Sequence, residues 1–196
     1  MIKAIIFDLN GVFIHSPKLS DRFLADFGVP AEVFLPKLNE IMDRVRRPGA
    51  EPSFEYWKPV LKDWNVLMNE DEFWNYWFEA ETPSIDMIAL AKSLKDRGLE
   101  IITLSNNFKE RAEYYGNYPW MLEVVDKAYF SWQTGLVKPD VEAWKLVLND
   151  FSLQGSECLY FDDQEKNLKI AKSLGIQAFA YVSVDDTKRE IEALIP

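Results

Sequence analysis

Four short apolar runs, each ended by polar residues and followed by a helix-like stretch, constrain this chain more than any other feature. Ala4-Ile5-Ile6-Phe7 ends in Asp8, Ile101-Ile102-Thr103-Leu104 in Ser105-Asn106, Leu159-Tyr160-Phe161 in Asp162-Asp163, and Ala178-Phe179-Ala180-Tyr181-Val182 in Ser183. A fifth run, Lys127-Ala128-Tyr129-Phe130, has the same character. Strands apolar at consecutive positions are covered on both faces, and the helical stretches between them are the crossovers that a parallel sheet requires. The pattern predicts an α/β fold. Ile88, Ala91 and Leu94 before Gly98, and Leu168, Ala171 and Leu174 before Gly175, are apolar positions three apart that mark two of these helices, each with a glycine placed to end it.

Residues 16–80 break the alternation. They contain no strand-like run and read as several helices separated by Pro30, Pro36, the Pro48-Gly49 turn, Pro52 and Pro59. This stretch holds 12 of the 28 aromatic residues, including Trp57, Trp64, Trp74 and Trp77, so a small helical layer can bury a large area per residue. The expected organisation is a core of residues 1–15 and 81–196 with a helical insert of residues 16–80. Composition narrows the class further. Thirty-two acids against 22 bases, a net charge of −10, argue against a general nucleic-acid binder, whose phosphate contacts need clustered Lys and Arg. No apolar run approaches the ~20 residues of a spanning helix, and the one at the start is too short for a signal sequence, so neither membrane nor secretion is expected. Cys158 is the only cysteine, which rules out an intramolecular disulfide and makes the reducing cytoplasm the expected compartment.

Ligands of open α/β sheets bind beyond the carboxyl ends of the strands, which gives weight to the polar residues found there. Singly, an Asp after a strand is a helix cap and a Ser-Asn pair is a turn. Together, Asp8, Ser105, Asn106, Lys138, Asp162 and Asp163 assemble a site for phosphate chemistry. Three carboxylates near one point repel one another without a cation, and hard oxygen ligands suit Mg²⁺. Lys138 supplies a compact positive charge, while the Ser105 hydroxyl and the Asn106 backbone N–H can donate to phosphoryl oxygens. A carboxylate such as that of Asp8 can attack phosphorus and form an aspartyl-phosphate.

The order Phe7-Asp8-Leu9-Asn10-Gly11-Val12, Thr103-Leu104-Ser105-Asn106, Gly135-Leu136-Val137-Lys138-Pro139-Asp140 and Phe161-Asp162-Asp163-Gln164-Glu165-Lys166-Asn167 resembles the haloacid dehalogenase superfamily. All four signature motifs are present in the family's order and frame the whole chain. The insert after the first motif looks like a helical cap of the first type, as in small phosphatases and the phosphatase domain of soluble epoxide hydrolase. The resemblance implies a doubly wound, Rossmann-like core with a mobile helical lid. It makes Asp8 the nucleophile, Ser105 and Asn106 the phosphate binders, and Lys138 the charge stabiliser. Asp8, the Asn10 backbone carbonyl, Asp163 and Asp162 would hold Mg²⁺, with Asp162 direct or one shell out, and Asn167 matches a supporting position. Gly11 fits the tight turn after the nucleophile, Pro139 the first turn of the next helix and Asp140 the charge preference there.

Asn10 departs from the family pattern, because phosphatases usually carry a second Asp there that protonates the leaving oxygen and then activates water. A carboxamide does neither. The expectation is therefore a slowed or specialised Mg²⁺-dependent phosphatase for a small phosphorylated metabolite. Alternatives are a catalytically silent binding protein of the same fold and a dehalogenase-type hydrolase. A signalling receiver domain has its acidic pair first along the chain, whereas here the pair comes last. His15, the lone histidine, reads as structural. Arg44, Arg46 and Arg47 read as a solvated basic run that could otherwise steer substrate, and Cys158 as a core thiol.

Overall fold

The computed structural model describes residues 1–195. The chain enters with β1 (Ala4–Phe7) and a short β2 (Ile14–His15), then runs through four helices, α1 (Leu19–Phe27), α2 (Ala31–Val45), α3 (Ser53–Asp63) and α4 (Glu70–Phe78). A short β3 (Thr82–Pro83) leads to α5 (Ile85–Asp96), β4 (Glu100–Ser105), α6 (Lys109–Gly116), α7 (Pro119–Val124), β5 (Lys127–Phe130) and α8 (Ser131–Thr134). The remainder is α9 (Val141–Asp150), β6 (Cys158–Asp162), α10 (Glu165–Ser173), β7 (Gln177–Ala180) and α11 (Val184–Leu194).

The five apolar runs form one parallel sheet in the order β5-β4-β1-β6-β7. Alternate residues of β1 leave the sheet on opposite faces and belong to different cores. Ile5 and Phe7 pack with Ala91 and Leu94 of α5, Val124 of α7 and Ile191 of α11. Ala4 and Ile6 pack with Trp144 and Val147 of α9 and Ala171 of α10. The sheet is thus covered on both faces, the doubly wound arrangement that continuous apolar runs require. Parallel pairing in register, with Phe7 opposite Thr103 on one side and Phe161 on the other, brings the ends of β1, β4 and β6 to one edge.

Helices α1 to α4 have their own core. Trp57 is fully buried at its centre, with ring centroids 5.8 Å from Phe34, 5.2 Å from Phe73 and 5.9 Å from Trp77. Phe108, just before α6, packs into the same cluster and joins it to the sheet. Two sequence readings are corrected here. Pro36 and Pro59 do not separate helices but lie inside α2 and α3. Each removes a backbone hydrogen bond at a cost of about 3 kcal/mol, which the apolar faces carrying Phe34, Ile41 and Val45, and Phe54, Trp57 and Leu61, outweigh by burial. Pro139 lies not in the first turn of α9 but two residues before it; Asp140 is the cap, its side chain accepting from the Glu142 N–H. The two-residue strands β2 and β3, invisible in the sequence, pair antiparallel and tie together the chain entering and leaving the helical layer.

Replacing Trp57 with alanine removes the centre of the helical layer and is expected to destabilise the protein by about 3–5 kcal/mol. Denaturant unfolding monitored by far-UV circular dichroism measures this; a loss below about 1 kcal/mol would contradict the packing.

Candidate active site

Lys138 reaches the strand ends from the loop before α9, and its side chain is almost entirely buried. Its ammonium lies 2.7 Å from Asp162 Oδ2, 3.1 Å from Asp8 Oδ1 and 3.2 Å from the Tyr160 hydroxyl. The Asn106 side chain fixes the lysine backbone at both ends of one residue. Its Oδ1 accepts the Lys138 N–H at 2.8 Å and its Nδ2 donates to the Lys138 carbonyl at 2.8 Å. The carboxamide is therefore occupied in holding Lys138 and is not available to a ligand.

Asp162 is fully buried at the end of β6. Its Oδ2 accepts from Lys138, from Tyr160 and, at 2.9 Å, from Asn167 Nδ2, while its Oδ1 accepts the Gln164 N–H at 2.7 Å. Burial pushes its pKa up, but the Lys138 ammonium and these donors outweigh burial and hold it below the usual carboxylate range. Asp8 is the opposite case. Burial raises its carboxyl from 3.8 to about 6, and the Asp162 charge adds to this against the pull of Lys138. Both its contacts, the Leu9 N–H at 2.7 Å and Lys138, fall on Oδ1, so Oδ2 is the oxygen left for chemistry.

Asp163 lies at the rim, where burial and the neighbouring Asp162 push its carboxyl up as well. Oxygens of Asp8, Asp162 and Asp163 all come within 4.8 Å of one another. One lysine does not neutralise three carboxylates, and the Asp162 charge adds to burial in raising both Asp8 and Asp163. A hard divalent cation among these oxygens would relieve this repulsion. Gly11 keeps the space open: with φ at +89° it occupies the left-handed region, and a Cβ there would stand 2.8 Å from Asp163 Oδ2.

Asn10 is held at both ends of its carboxamide. Nδ2 donates to the Tyr115 hydroxyl at 2.6 Å, and Oδ1 accepts from Asn107 Nδ2 at 2.8 Å. Asn107 also donates to Ser105 Oγ at 3.1 Å, and Tyr115 donates to Glu81 Oε2 at 2.6 Å. Glu81 in turn accepts from Ser16 and ion-pairs with Arg111. Sequence reasoning found none of Asn107, Tyr115, Glu81 and Arg111; only Asn107, beside Asn106, carried a local signal.

Asp8, Asn10, Ser105, Asn106 and Lys138 line one cavity of about 140 Å³. Arg46, Arg111, Gln164 and Lys166 complete its wall. The basic run therefore splits: Arg44 is exposed and ion-pairs with Glu40, Arg47 is exposed, and Arg46 turns into the cavity. His15 is exposed on β2 outside that wall. Cys158 opens β6, where burial and Glu157 push its thiol up to about 12, the reverse of an activated nucleophile.

The sign of the Asp8 shift sets a pH dependence. A carboxyl whose pKa rises on folding binds its proton more tightly in the folded state. The stability it contributes is fully present below 3.8 and is lost as pH rises through about 6. In cation-free buffer, the melting temperature of the protein should fall relative to Asp8→Asn between about pH 4 and pH 7, and Mg²⁺ should restore it. Parallel pH profiles for the two proteins would contradict the geometry.

A family model described as haloacid dehalogenase-like hydrolase matches residues 2–175. Among curated proteins the chain is similar to bifunctional epoxide hydrolase 2 of Sus scrofa, 23% identical over 216 residues and 97% of this chain. It is also similar to D-ribitol-5-phosphate phosphatase of Bacteroides thetaiotaomicron, 33% identical over 70 residues and 36% of this chain, and to acyl-CoA dehydrogenase family member 10 of Mus musculus, 33% identical over 110 residues and 56% of this chain. The chain spans 38%, 34% and 10% of these relatives' own lengths, respectively. Among solved structures it is similar to a HAD family enzyme from Bacteroides thetaiotaomicron, with a TM-score of 0.82, 21% identity, and coverage of 97% of this chain and 98% of that one. That enzyme in complex with magnesium and inorganic phosphate gives a TM-score of 0.77 at 21% identity, covering 93% and 95%. At this identity the likeness is one of fold. No helix among the described residues is long and apolar enough to cross a membrane.

Proposed function

The chain belongs to the haloacid dehalogenase-like hydrolases, and from that membership we propose that it is a Mg²⁺-dependent phosphatase of a small phosphorylated metabolite, acting through an aspartyl-phosphate on Asp8. The observation that carries this reading is the meeting of Asp8, Asp162 and Asp163 with the single buried ammonium of Lys138. A relative that is a phosphatase of a sugar-alcohol phosphate, and a structural neighbour holding magnesium with phosphate, support it.

In this reading Asp8, Asp163 and the Asn10 carbonyl would hold Mg²⁺, with Asp162, already bound by four donors, fixing the lysine beside them. A bound cation supplies charge neutralisation of the phosphoryl oxygens. Lys138, the Ser105 hydroxyl and the Asn106 N–H hold those oxygens in line with Asp8 Oδ2. Oδ2 forms a bond to phosphorus as the ester P–O bond breaks, and the departing oxygen takes its proton from water. Water then attacks the aspartyl-phosphate, releasing phosphate and restoring Asp8. Asn10 transfers no proton in either half, so both are slow. Residues 16–80 act as a cap over residues 1–15 and 81–196, excluding bulk water from the cavity. The single buried thiol fits a cytoplasmic setting.

A second reading, a phosphate-binding protein without turnover, is favoured by one observation: both polar atoms of Asn10 are engaged by Tyr115 and Asn107. A panel of small phosphomonoesters assayed with and without Mg²⁺ separates the two. Turnover should require both Mg²⁺ and Asp8, and disappear in Asp8→Asn. Asn10→Asp should raise it about 10²-fold, the low end for a general acid/base, because Tyr115 then has one hydroxyl proton for two carboxylates, the new one and Glu81. Activity that ignores the metal and the Asp8 substitution would overturn the mechanism, and binding without turnover in both proteins would establish the second reading.

A further inference from the structure

The cations around the cavity are not equally compensated. Lys138 has Asp8 and Asp162, and Arg111 has Glu81. The described arginines that form ion pairs are Arg44, Arg111 and Arg189; Arg46 is not among them. Its Nε is buried without a hydrogen-bond partner. Burial and the nearby Arg111 guanidinium both work against its charge, offset in part by Asp43 and Asp8. A half-buried guanidinium without a partner is costly to keep, and it stands on the wall of the cavity that holds the nucleophile.

The direction from which Arg46 arrives matters. Asp8 and Ser105 enter the cavity from the strand ends and Lys138 from the loop before α9. Arg46 enters from the C-terminal end of α2, in the helical layer. A separate cleft of about 360 Å³ is lined by its chain neighbours Val45 and Arg47 together with Glu51, Glu110 and Glu113, so the acidic cleft and the basic cavity wall lie on either side of this turn. The guanidinium fork matches the paired oxygens of a carboxylate or phosphate.

We propose that Arg46 forms a second anion site, and that the substrate of this centre is a phosphomonoester whose leaving group itself carries an oxyanion, a carboxylate or a second phosphate. This rests on the phosphatase reading and narrows it to a substrate class.

The test compares phosphorylated hydroxy acids of two to four carbons, the matching bisphosphates, and the matching uncharged phosphorylated diols, on the protein and on Arg46→Met. The protein should prefer at least one anionic series over the diols in kcat/KM. Arg46→Met should reduce that preference about tenfold to hundredfold, as expected for a hydrogen bond to a charged group. Whether the carboxylate or the bisphosphate series shows the effect identifies the anion. A preference that is absent, or unchanged by Arg46→Met, overturns the proposal. If no compound is turned over, the phosphatase reading fails separately, and the same comparison is made by calorimetric binding to Asp8→Asn in Mg²⁺. There, an anion preference that depends on Arg46 sustains the second site, and one that does not sinks it.

Discussion

An ammonium group withdrawn from water must be surrounded by acceptors, and the burial of Lys138 imposes that condition on everything near the strand ends. Two carboxylates and a tyrosine hydroxyl meet it. Removing one partner of such a cluster leaves an uncompensated buried charge, which is far worse than never burying the cluster. The parallel register supplies the partners: β1 and β6 run side by side with Phe7 opposite Phe161, so the residues that follow, Asp8 and Asp162, end next to each other. The Asn106 carboxamide at the end of β4 then pins the lysine backbone from the other side. Sheet order, loop position and electrostatics are one requirement expressed three ways.

From that cluster the two carboxylates take opposite characters. Asp162 spends its oxygens on four donors and is held ionised. Asp8 keeps one oxygen free and pays for burial with a raised pKa. Two carboxylates are thereby given opposite characters by environment alone, without any difference in residue type. The network through Asn10, Tyr115, Glu81, Arg111 and Ser16 extends the site away from the sheet, to the residues flanking the β2–β3 ribbon through which the helical layer is attached. The residue that departs from the family pattern is thus tied into the same hydrogen-bond system as the chain's two crossings into the helices.

Much of this was legible in the sequence, for a physical reason. Strands buried on both faces must be apolar at successive positions, so β1, β4 and β6 announce themselves, and the first polar residue after each is where a ligand meets the sheet. Asp8, Ser105, Asn106, Asp162 and Asp163 all sit at such ends, and the fold's strand order then brings them into range. What stayed hidden has no local pattern. Tyr115 and Arg111 lie on faces of α6 whose neighbours are set only by packing, and Glu81 sits in a connection more than 20 residues from the nearest motif. Arg46 was masked by its companions, because Arg44 and Arg47 do face water and a run of three arginines looks uniform until α2 ends and turns the middle one inward. Pro36 and Pro59 misled for the converse reason: a local helix breaker was overruled by apolar contacts made far away in sequence.

Phosphatase action at this site requires that Asp8 Oδ2 receive the phosphoryl group. Rapid acid quench during turnover of a small phosphomonoester, followed by mass spectrometry of the peptides, reads this directly. The prediction is one added phosphoryl group on the peptide carrying Asp8, dependent on Mg²⁺ and absent from Asp8→Asn. Steady turnover with that peptide unmodified, or with the phosphoryl group on another residue, would contradict it.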